Sequence, residues 1–275
     1  MSISAPRYVS SGIPRTARSS RVLAVAAREF TRRATWGTLS AVTLTYMGVV
    51  LAITVEVYFA TFFGGATVGT FESVLGSPIW PFFMLIVATA AGAGSLADDV
   101  GNRSITLYLS RPIHLVDYVA AKTVACGGWL LIASAGPGFL AVAVSAMLGY
   151  AKTSVLLGAL AGFAATGIVA AIFFTGLALA LSSLTSRSLY AGVAIFGLVL
   201  SLYIGAAIVA GITGNIYVPY ASPIALIRSV AHGAFGISGP SETDPVSSAI
   251  ALVGAGVALW LFAYWRLTRV EVVAE

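Results

Sequence analysis

Long apolar runs, separated by short polar segments, make up most of this chain. Six runs contain no Asp, Glu, Lys or Arg, and they cover residues 34–55, 73–97, 123–151, 153–186, 188–227 and 245–265. Each is long enough for the roughly 20 predominantly apolar residues that a membrane-spanning helix needs. The pattern therefore predicts an all-α integral membrane protein. Its six transmembrane helices are expected near residues 37–60, 79–97, 117–148, 154–184, 189–209 and 245–265.

The residues before the first span divide into two parts. Residues 1–17 are rich in Ser, Arg, Pro and Gly and lack an apolar period, which predicts a disordered cytoplasmic tail. Residues 18–36 are amphipathic, so we expect a helix in the membrane interface with its arginines toward lipid phosphates. A solvated extension of the first span is the alternative. The polar side of this helix carries Arg18, Arg21, Arg28, Glu29, Arg32 and Arg33, and the apolar side carries Leu23, Ala26, Ala27, Phe30 and Ala34.

Composition and charge agree with a membrane location. The chain is 59% hydrophobic and only 9% charged, whereas soluble domains average about 25% charged residues. If the N-terminus is cytoplasmic, thirteen of the fifteen Lys and Arg residues are cytoplasmic, and only Lys152 and Arg228 lie outside. The positive-inside rule then predicts a multi-pass protein of the cell membrane with both termini in the cytoplasm. The net charge of +5 thus reflects topology and does not indicate a nucleic-acid partner.

A polar segment between the second and third spans, residues 96–122, is predicted to be ordered. Asp98 and Asp99 can accept the free backbone N–H groups that open a helix. Pro112 disfavours helical geometry at Arg111 and would close it. The apolar residues between these limits are Ile105, Leu107, Tyr108 and Leu109. A compact cytoplasmic helix of this kind is suited to dock a partner protein.

Three further features concern the loops and the outer side. Residues 182–188 form a second cytoplasmic connection that contains Arg187. The outer segment 211–245 is too apolar to lie free in water, so short re-entrant or interfacial helices are expected there. Glu56, near the outer end of the first span, is a candidate for the translocation path because ionisable groups within a membrane are usually functional. An interfacial carboxylate is the alternative reading of Glu56.

The sequence lacks the residues for common catalytic chemistry. A phosphate-binding loop needs G-x-x-x-x-G-K-[ST], but both Lys-Thr pairs, at Lys122 and Lys152, follow an alanine. His114 and His232 are expected on opposite sides of the membrane, and Cys126 is the single cysteine, so no metal site is predicted. We therefore expect no enzyme activity, cofactor or metal in this chain.

The polar segment resembles a motif of the ABC-2 (type-2) permeases, the six-span membrane subunits of ABC transporters. The matching positions are Asp98, Asp99, Gly101, Leu107, Leu109, Ser110, Arg111, Pro112, Ile113, Tyr118 and Lys122. The interfacial segment Ala27-Arg28-Glu29-Phe30 and the ending Tyr264-Trp265-Arg266 are also similar to the family. Leu115 and Ala121 depart from it, because the family usually has Arg and Gly at these positions.

The resemblance implies that residues 18–275 form one ABC-2-type transmembrane domain, a permease subunit that is usually an exporter. Two such subunits, identical or paralogous, would bind two separate cytoplasmic ATPase subunits that hold ATP and Mg²⁺. The long third and fourth spans would act as levers. A non-transporting membrane scaffold with the same fold is the alternative, and a membrane-embedded enzyme is the third candidate. The residues expected to contact the ATPase are Asp98, Asp99, Gly101, Arg103, Leu107, Leu109, Ser110, Arg111, Pro112, His114 and Arg187.

Overall fold

The computed structural model describes residues 18–102, 114–237 and 243–272, and within these ranges the regular structure is helical. A short 3-10 helix (Val218–Ala221) accompanies the α-helices. The predicted tail, residues 1–17, lies outside the described residues. The α-helices are α1 (Arg18–Arg33), α2 (Trp36–Phe62), α3 (Val68–Gly76), α4 (Ile79–Gly92), α5 (Gly94–Gly101), α6 (Leu115–Met147), α7 (Thr153–Ser183), α8 (Ser188–Thr213), α9 (Pro223–Ala234) and α10 (Pro245–Val272).

Six helical segments in the described part of the chain are long and apolar enough to cross a membrane, which confirms the six-span prediction. They are α2, the continuous helix formed by α4 and α5, and then α6, α7, α8 and α10. The second and sixth begin at Ile79 and Pro245, the residues expected from the sequence. Six spans in succession give an antiparallel bundle with two ends.

The helix of the second span does not stop where the apolar run stops. Ala93, between α4 and α5, keeps helical angles (φ −57°, ψ −42°), so the chain continues as helix to Gly101. Asp98 and Asp99 therefore lie within α5. The expectation that they open a new helix is wrong, because the backbone hydrogen bonds of the span continue past the last apolar residue.

Helices α4 and α6 are the most enclosed spans, and α8 is the most peripheral. The apolar window of the second span is 67% buried, against 17% for α8. Small residues and polar side chains bring neighbouring helices close together. Tyr46 of α2 donates a hydrogen bond to the Ile132 carbonyl of α6 (3.0 Å), and Ser134 of α6 donates to the Gly167 carbonyl of α7 (3.0 Å).

Two short helices pack together at one end of the bundle, which we name the Glu72 end. Helix α3 buries Phe71 and Leu75, and α9 buries Ile224, Ile227 and Ala231. Helix α9 and the 3-10 helix occupy the segment between the fifth and sixth spans where short helices were expected. The opposite end, where α1, α5 and the start of α6 meet, is named the Lys122 end.

Candidate functional site

A buried group of charged side chains joins three helices at the Lys122 end. Lys122 of α6 places its Nζ atom 2.6 Å from Glu29 Oε2 of α1 and 2.6 Å from Asp99 Oδ2 of α5. All three side chains are at most 2% exposed. Tyr118 donates its hydroxyl to Asp99 Oδ2 (2.5 Å). Arg32, which is about half exposed, lies 3.5 Å from both carboxylates. We call these five residues the charge cluster.

Within the part of the chain that the structure describes, the charges of the charge cluster balance, as burial favours. Lys122 and Arg32 carry two positive charges, and Glu29 and Asp99 carry two negative ones. An isolated buried charge is strongly unfavourable, whereas a paired and hydrogen-bonded one is tolerated. Removing one partner of such a group typically costs about 3–5 kcal/mol because the other charges remain buried. The cluster therefore fixes α1, α5 and α6 relative to one another.

Further contacts attach α1 to the bundle. Arg33 Nη2 donates to the Gly94 carbonyl of α5 (2.5 Å). The indole N–H of Trp129 donates to the Phe30 carbonyl (3.1 Å), and the two rings stack with centroids 4.7 Å apart. Ala26 of α1 is also buried. Helix α1 is therefore held by polar and aromatic contacts with α5 and α6.

These contacts correct part of the prediction for the amphipathic segment. Arg28 and Arg32 are exposed, but Glu29 and Arg33 are only 2% and 9% exposed. The expectation that all of its arginines face lipid phosphates is wrong for Arg33. A helical wheel shows which residues share a side, but it does not show that the polar side meets protein. Lys122, which pairs with Glu29, and Gly94, whose carbonyl accepts from Arg33, lie far away in the sequence.

The two segments predicted to contact an ATPase meet at the Lys122 end. Gly101, at the end of α5, packs so closely on the Ser186 carbonyl that a Cβ atom there would overlap it. Arg187 is exposed, with its guanidinium carbon 5.9 Å from the centre of the Tyr190 ring, and His114 is exposed just before α6. Asp98 is half-buried next to Asp99. The remaining predicted contacts, Arg103, Leu107, Leu109, Ser110, Arg111 and Pro112, lie outside the described residues.

A second polar group lies at the Glu72 end, and the sequence interpretation missed its central residue. Glu72 of α3 is 7% exposed and its Oε1 lies 2.8 Å from His232 Nδ1 of α9. Arg228 of α9 donates from Nε to the Gly76 carbonyl (2.5 Å). Glu56, the candidate for the translocation path, is exposed and accepts a hydrogen bond from Ser73 of α3. Glu56 thus helps to hold α3 against α2.

A signal for Glu72 was present in the sequence. It is an acidic residue in the mostly apolar segment Phe71-Glu72-Ser73-Val74-Leu75. A carboxylate that is buried with such a segment needs a polar or charged partner. Tyr118 and Lys122 were noticed as matches to the family motif but were not among the predicted site residues. Tyr118 contacts Asp99 and Lys122 contacts Glu29, and these contacts form only in the tertiary structure.

The six apolar helices and their buried polar contacts define a multi-pass membrane protein. A family model described as "ABC-2 family transporter protein" matches residues 23–272, nearly the whole chain, and the chain belongs to this family. It is therefore a membrane permease of an ABC transporter, a family whose members generally work with ABC ATPase partners. A comparison with curated proteins gives no match.

Proposed function

We propose that this chain is the permease subunit of an ATP-driven exporter and that a separate ATPase docks at its Lys122 end. The observation that carries the proposal is the contact between Gly101 and Ser186, which puts the two predicted docking segments side by side. Two segments from different spans then form one surface. The partner ATPase would bind ATP and Mg²⁺, and this chain would supply the path across the membrane.

The distribution of charge supports a cytoplasmic position for the Lys122 end. Arg28, Arg32, Arg187 and Arg269 are exposed at this end, while Lys152 is exposed at the Glu72 end. Because positively charged residues are retained on the cytoplasmic side, this bias favours both termini in the cytoplasm of the cell. The docking surface would then face the compartment that contains ATP.

The charge cluster gives a physical route from the docking surface to the spans. A push on α5 acts directly on α6, because Asp99 is paired with Lys122 and Tyr118. Helix α1 follows through Glu29, and α8 through the Gly101–Ser186 contact. Elements joined by buried ion pairs move together more readily than elements joined by loops alone. Docking of nucleotide-bound ATPase subunits would thus reorient α6 and α7 as long levers.

Export and a dimeric assembly extend the proposal. Most members of the family that the sequence resembles are exporters, which favours outward transport. Large apolar side chains of α2 and α8 are exposed, among them Leu51, Val193 and Ile212. A second copy of the chain or a paralogue would complete a path between protomers, with lipid covering the remaining apolar surface.

Co-purification from native membranes tests the docking surface. Arg187 and Lys152 offer a matched pair, because each is exposed and each occupies the position just before a span, with extended backbone angles. We expect Arg187→Glu to lose the co-purifying ATPase and Lys152→Glu to retain it. Both variants should be present in the membrane in equal amounts.

Three results would count against the proposal. If tagged wild-type protein brings down no ATPase, the transporter function is wrong. If Arg187→Glu retains the ATPase as well as Lys152→Glu does, the docking surface lies elsewhere. If the complex forms but its ATP hydrolysis responds to no transported compound, the chain is a membrane scaffold with the permease fold.

A further inference from the structure

A groove opens on the outer surface of the bundle between α6 and α10, and α7 forms its floor. Its volume is about 360 Å³, within the range of roughly 300–1,000 Å³ that is typical of small-molecule sites. We name it the α10 groove. We propose that it binds an uncharged membrane alcohol, an apolar molecule that carries one hydroxyl group. The inference goes beyond the proposed transport function, because it assigns a ligand site outside the docking surface.

Glycines on all three helices make room for the groove. Gly176 of α7 and Gly256 of α10 lie so close together that a Cβ atom on Gly176 would overlap the Gly256 carbonyl oxygen. On the other side, Gly127 of α6 faces Thr175 of α7, and a Cβ atom there would lie 3.2 Å from Thr175 Oγ1. Both flanking helices are thus held close to α7, and the space between them is left without side chains.

The walls of the groove are apolar and face the lipid. Leu131, Ile168 and Val257 line it and are 43–49% exposed on the surface of their spans. Among the described residues that line it, none is ionisable. Water needs two to four polar partners in such a site, and a charged ligand would be left without a partner. The groove therefore suits an uncharged and mostly apolar molecule.

Two threonines give the groove its polar character, and one of them is already satisfied. Thr123 of α6 accepts a hydrogen bond from the indole N–H of Trp260 of α10 (2.7 Å) and donates to the Val119 carbonyl (2.8 Å). Thr175 is 3% exposed, and its hydroxyl has no hydrogen-bond partner in the part of the chain that the structure describes. The floor of the groove thus holds a buried hydroxyl that lacks a partner.

The hydroxyl of Thr175 differs in this respect from those of other threonines in the spans. Thr45 and Thr89 each donate to the carbonyl four residues earlier in their own helix, at 2.9 Å. A hydroxyl that is buried in an apolar site without such a bond is unfavourable. A turn of χ1 to the next staggered position would bring the Thr175 hydroxyl into the groove. A ligand hydroxyl can both donate and accept, so it supplies the missing bond in either sense.

Other occupants of the groove are less suitable. It extends roughly 12 Å along α6, from Thr123 to Leu131, at 1.5 Å per residue. A membrane-spanning helix of a partner protein is about 30 Å long and would have to pass the bridge between Trp260 and Thr123. A phospholipid acyl chain would fit beside the walls, but it carries no hydrogen-bonding group along its length. The alcohol satisfies both the walls and the floor.

Photolabelling of the full-length chain in its native membranes tests the ligand. The probe is hexadecanol with a diazirine in its chain, and the competitors are unlabelled hexadecanol and hexadecane. Thr175→Val removes the hydroxyl from the groove. Thr166→Val is its matched control, because Thr166 is a buried threonine of the same helix whose hydroxyl also lacks a partner among the described residues, yet it does not line the groove.

A second pair of variants tests the groove itself. Val257→Trp places an indole in the groove, whereas Ile250→Trp places one on lipid-exposed surface of α10 two helical turns earlier. Both replaced side chains are exposed, at 48% and 68%, so both variants are expected to fold. The two indoles are equally apolar, and only their position relative to the groove differs.

We expect saturable labelling of α6, α7 and α10 in the wild type, which hexadecanol competes and hexadecane does not. Thr175→Val should bind the probe roughly fivefold to tenfold more weakly, as the loss of one hydrogen bond predicts. Thr166→Val and Ile250→Trp should bind it as the wild type does, and Val257→Trp should lose the labelling.

Several outcomes would overturn the proposal. Labelling that does not saturate would show ordinary contact with lipid, and equal competition by hexadecane would show a site for any hydrocarbon chain. An equal loss of binding in Thr175→Val and Thr166→Val would exclude a bond to the groove hydroxyl. An equal loss in Val257→Trp and Ile250→Trp would exclude the groove, and a disulfide between two copies of Val257→Cys would show that protein covers it.

The position of the groove also gives its occupant a possible effect on transport. The groove borders α6 and α7, the long levers of the proposed mechanism. An occupant that binds one separation of α6 and α10 better than another shifts the equilibrium toward it. This consequence rests on the proposed function, whereas the binding site does not.

ATP hydrolysis by the reconstituted complex tests this consequence. We expect the rate to change with added hexadecanol in the wild type and in Thr166→Val, but not in Thr175→Val. A rate that stays constant while the groove is labelled would overturn the effect on transport. If no ATPase can be recovered, the transport function fails, while labelling of the permease alone still reports on the groove.

Discussion

Lys122 and Glu29 are 93 positions apart in the sequence, yet their charged atoms lie 2.6 Å from each other in a site closed to solvent. The contact joins an amphipathic helix to a membrane span. Asp99 completes it from a third helix. Buried ion pairs of this kind add little stability compared with apolar packing, but they are costly to break, so they define one arrangement of the helices.

Replacing the amine of Lys122 should therefore destabilise the permease. In Lys122→Met the two carboxylates lose the buried ammonium that lies 2.6 Å from each of them, and we expect a loss of about 3–5 kcal/mol. Cys126 provides the measurement, because it is the single cysteine and is 1% exposed. A maleimide should label it only when the bundle opens, and faster in the variant at every temperature tested.

Lys152→Met is the control for that measurement. Lys152 is exposed at the Glu72 end, so its replacement should change stability by no more than about 0.5 kcal/mol. Equal labelling rates in the two variants would show that the charge cluster does not hold the three helices together.

The contact between α7 and α10 depends on two glycines. Gly176 and Gly256 face each other, and a Cβ atom on Gly256 would lie 2.9 Å from the Ile172 carbonyl oxygen and 3.0 Å from Phe173 Cα. Gly256→Ala must push backbone apart, at a cost of about 1–3 kcal/mol. Part of that cost, up to about 1 kcal/mol, is offset by the better helix propensity of alanine. Thermal unfolding in detergent should show a lower midpoint.

Gly254 gives a control two residues away on α10. A Cβ atom there meets nothing within 4 Å, so Gly254→Ala gains helix propensity without a clash. Its midpoint should equal or exceed that of the wild type. A midpoint that falls as far as in Gly256→Ala would mean that glycine is needed for another reason than close packing.

Asp244 should give the start of α10 a dependence on pH. The backbone N–H and the side chain of Ser247 donate hydrogen bonds to its carboxylate and lower its pKa below the ordinary value of 3.8. A lowered folded-state pKa stabilises the fold above the ordinary value, and this contribution is lost as the pH falls through the lowered pKa. Asp244→Asn retains the capping acceptor but lacks this titration.

The midpoint difference between wild type and Asp244→Asn should therefore be constant near neutral pH and decrease below about pH 4. Ser247→Ala serves as a second variant, since the hydroxyl that it removes takes part in lowering the pKa. In a Ser247→Ala background, the midpoint difference between Asp244 and Asp244→Asn should therefore change less as the pH falls. A difference that does not change with pH would exclude a role for the Asp244 charge in capping.

Hydropathy predicted the spans well because the bilayer imposes their length and composition. The starts at Ile79 and Pro245 coincide with the predicted ones, since a proline or a polar residue stands at each boundary. The sequence prediction ended the second span at residue 97, and the helix extends beyond that residue. Hydropathy marks the part of a helix that lies in lipid, whereas the hydrogen-bonded helix continues to Gly101.

The candidate site was predicted only in part because its members come from distant segments. The sequence indicated Asp98, Asp99 and Glu29 as functional residues. It assigned the two aspartates to helix capping and to contact with an ATPase, and Glu29 to the polar side of an interfacial helix. Asp99 contacts Lys122 and Tyr118, and Glu29 contacts Lys122, because of how α1, α5 and α6 pack. No local pattern contains that information, and a helical wheel describes one helix at a time.

The order of the charge cluster along the chain bears on how the protein is made. Synthesis starts at the N-terminus, so Glu29 and Asp99 are produced before Lys122 reaches the insertion machinery. A lysine at the edge of a nascent span resists transfer into hydrocarbon until its charge is matched. Here both acidic partners already exist when that span arrives, and the ammonium can be neutralised during assembly without waiting for the C-terminal half of the polypeptide.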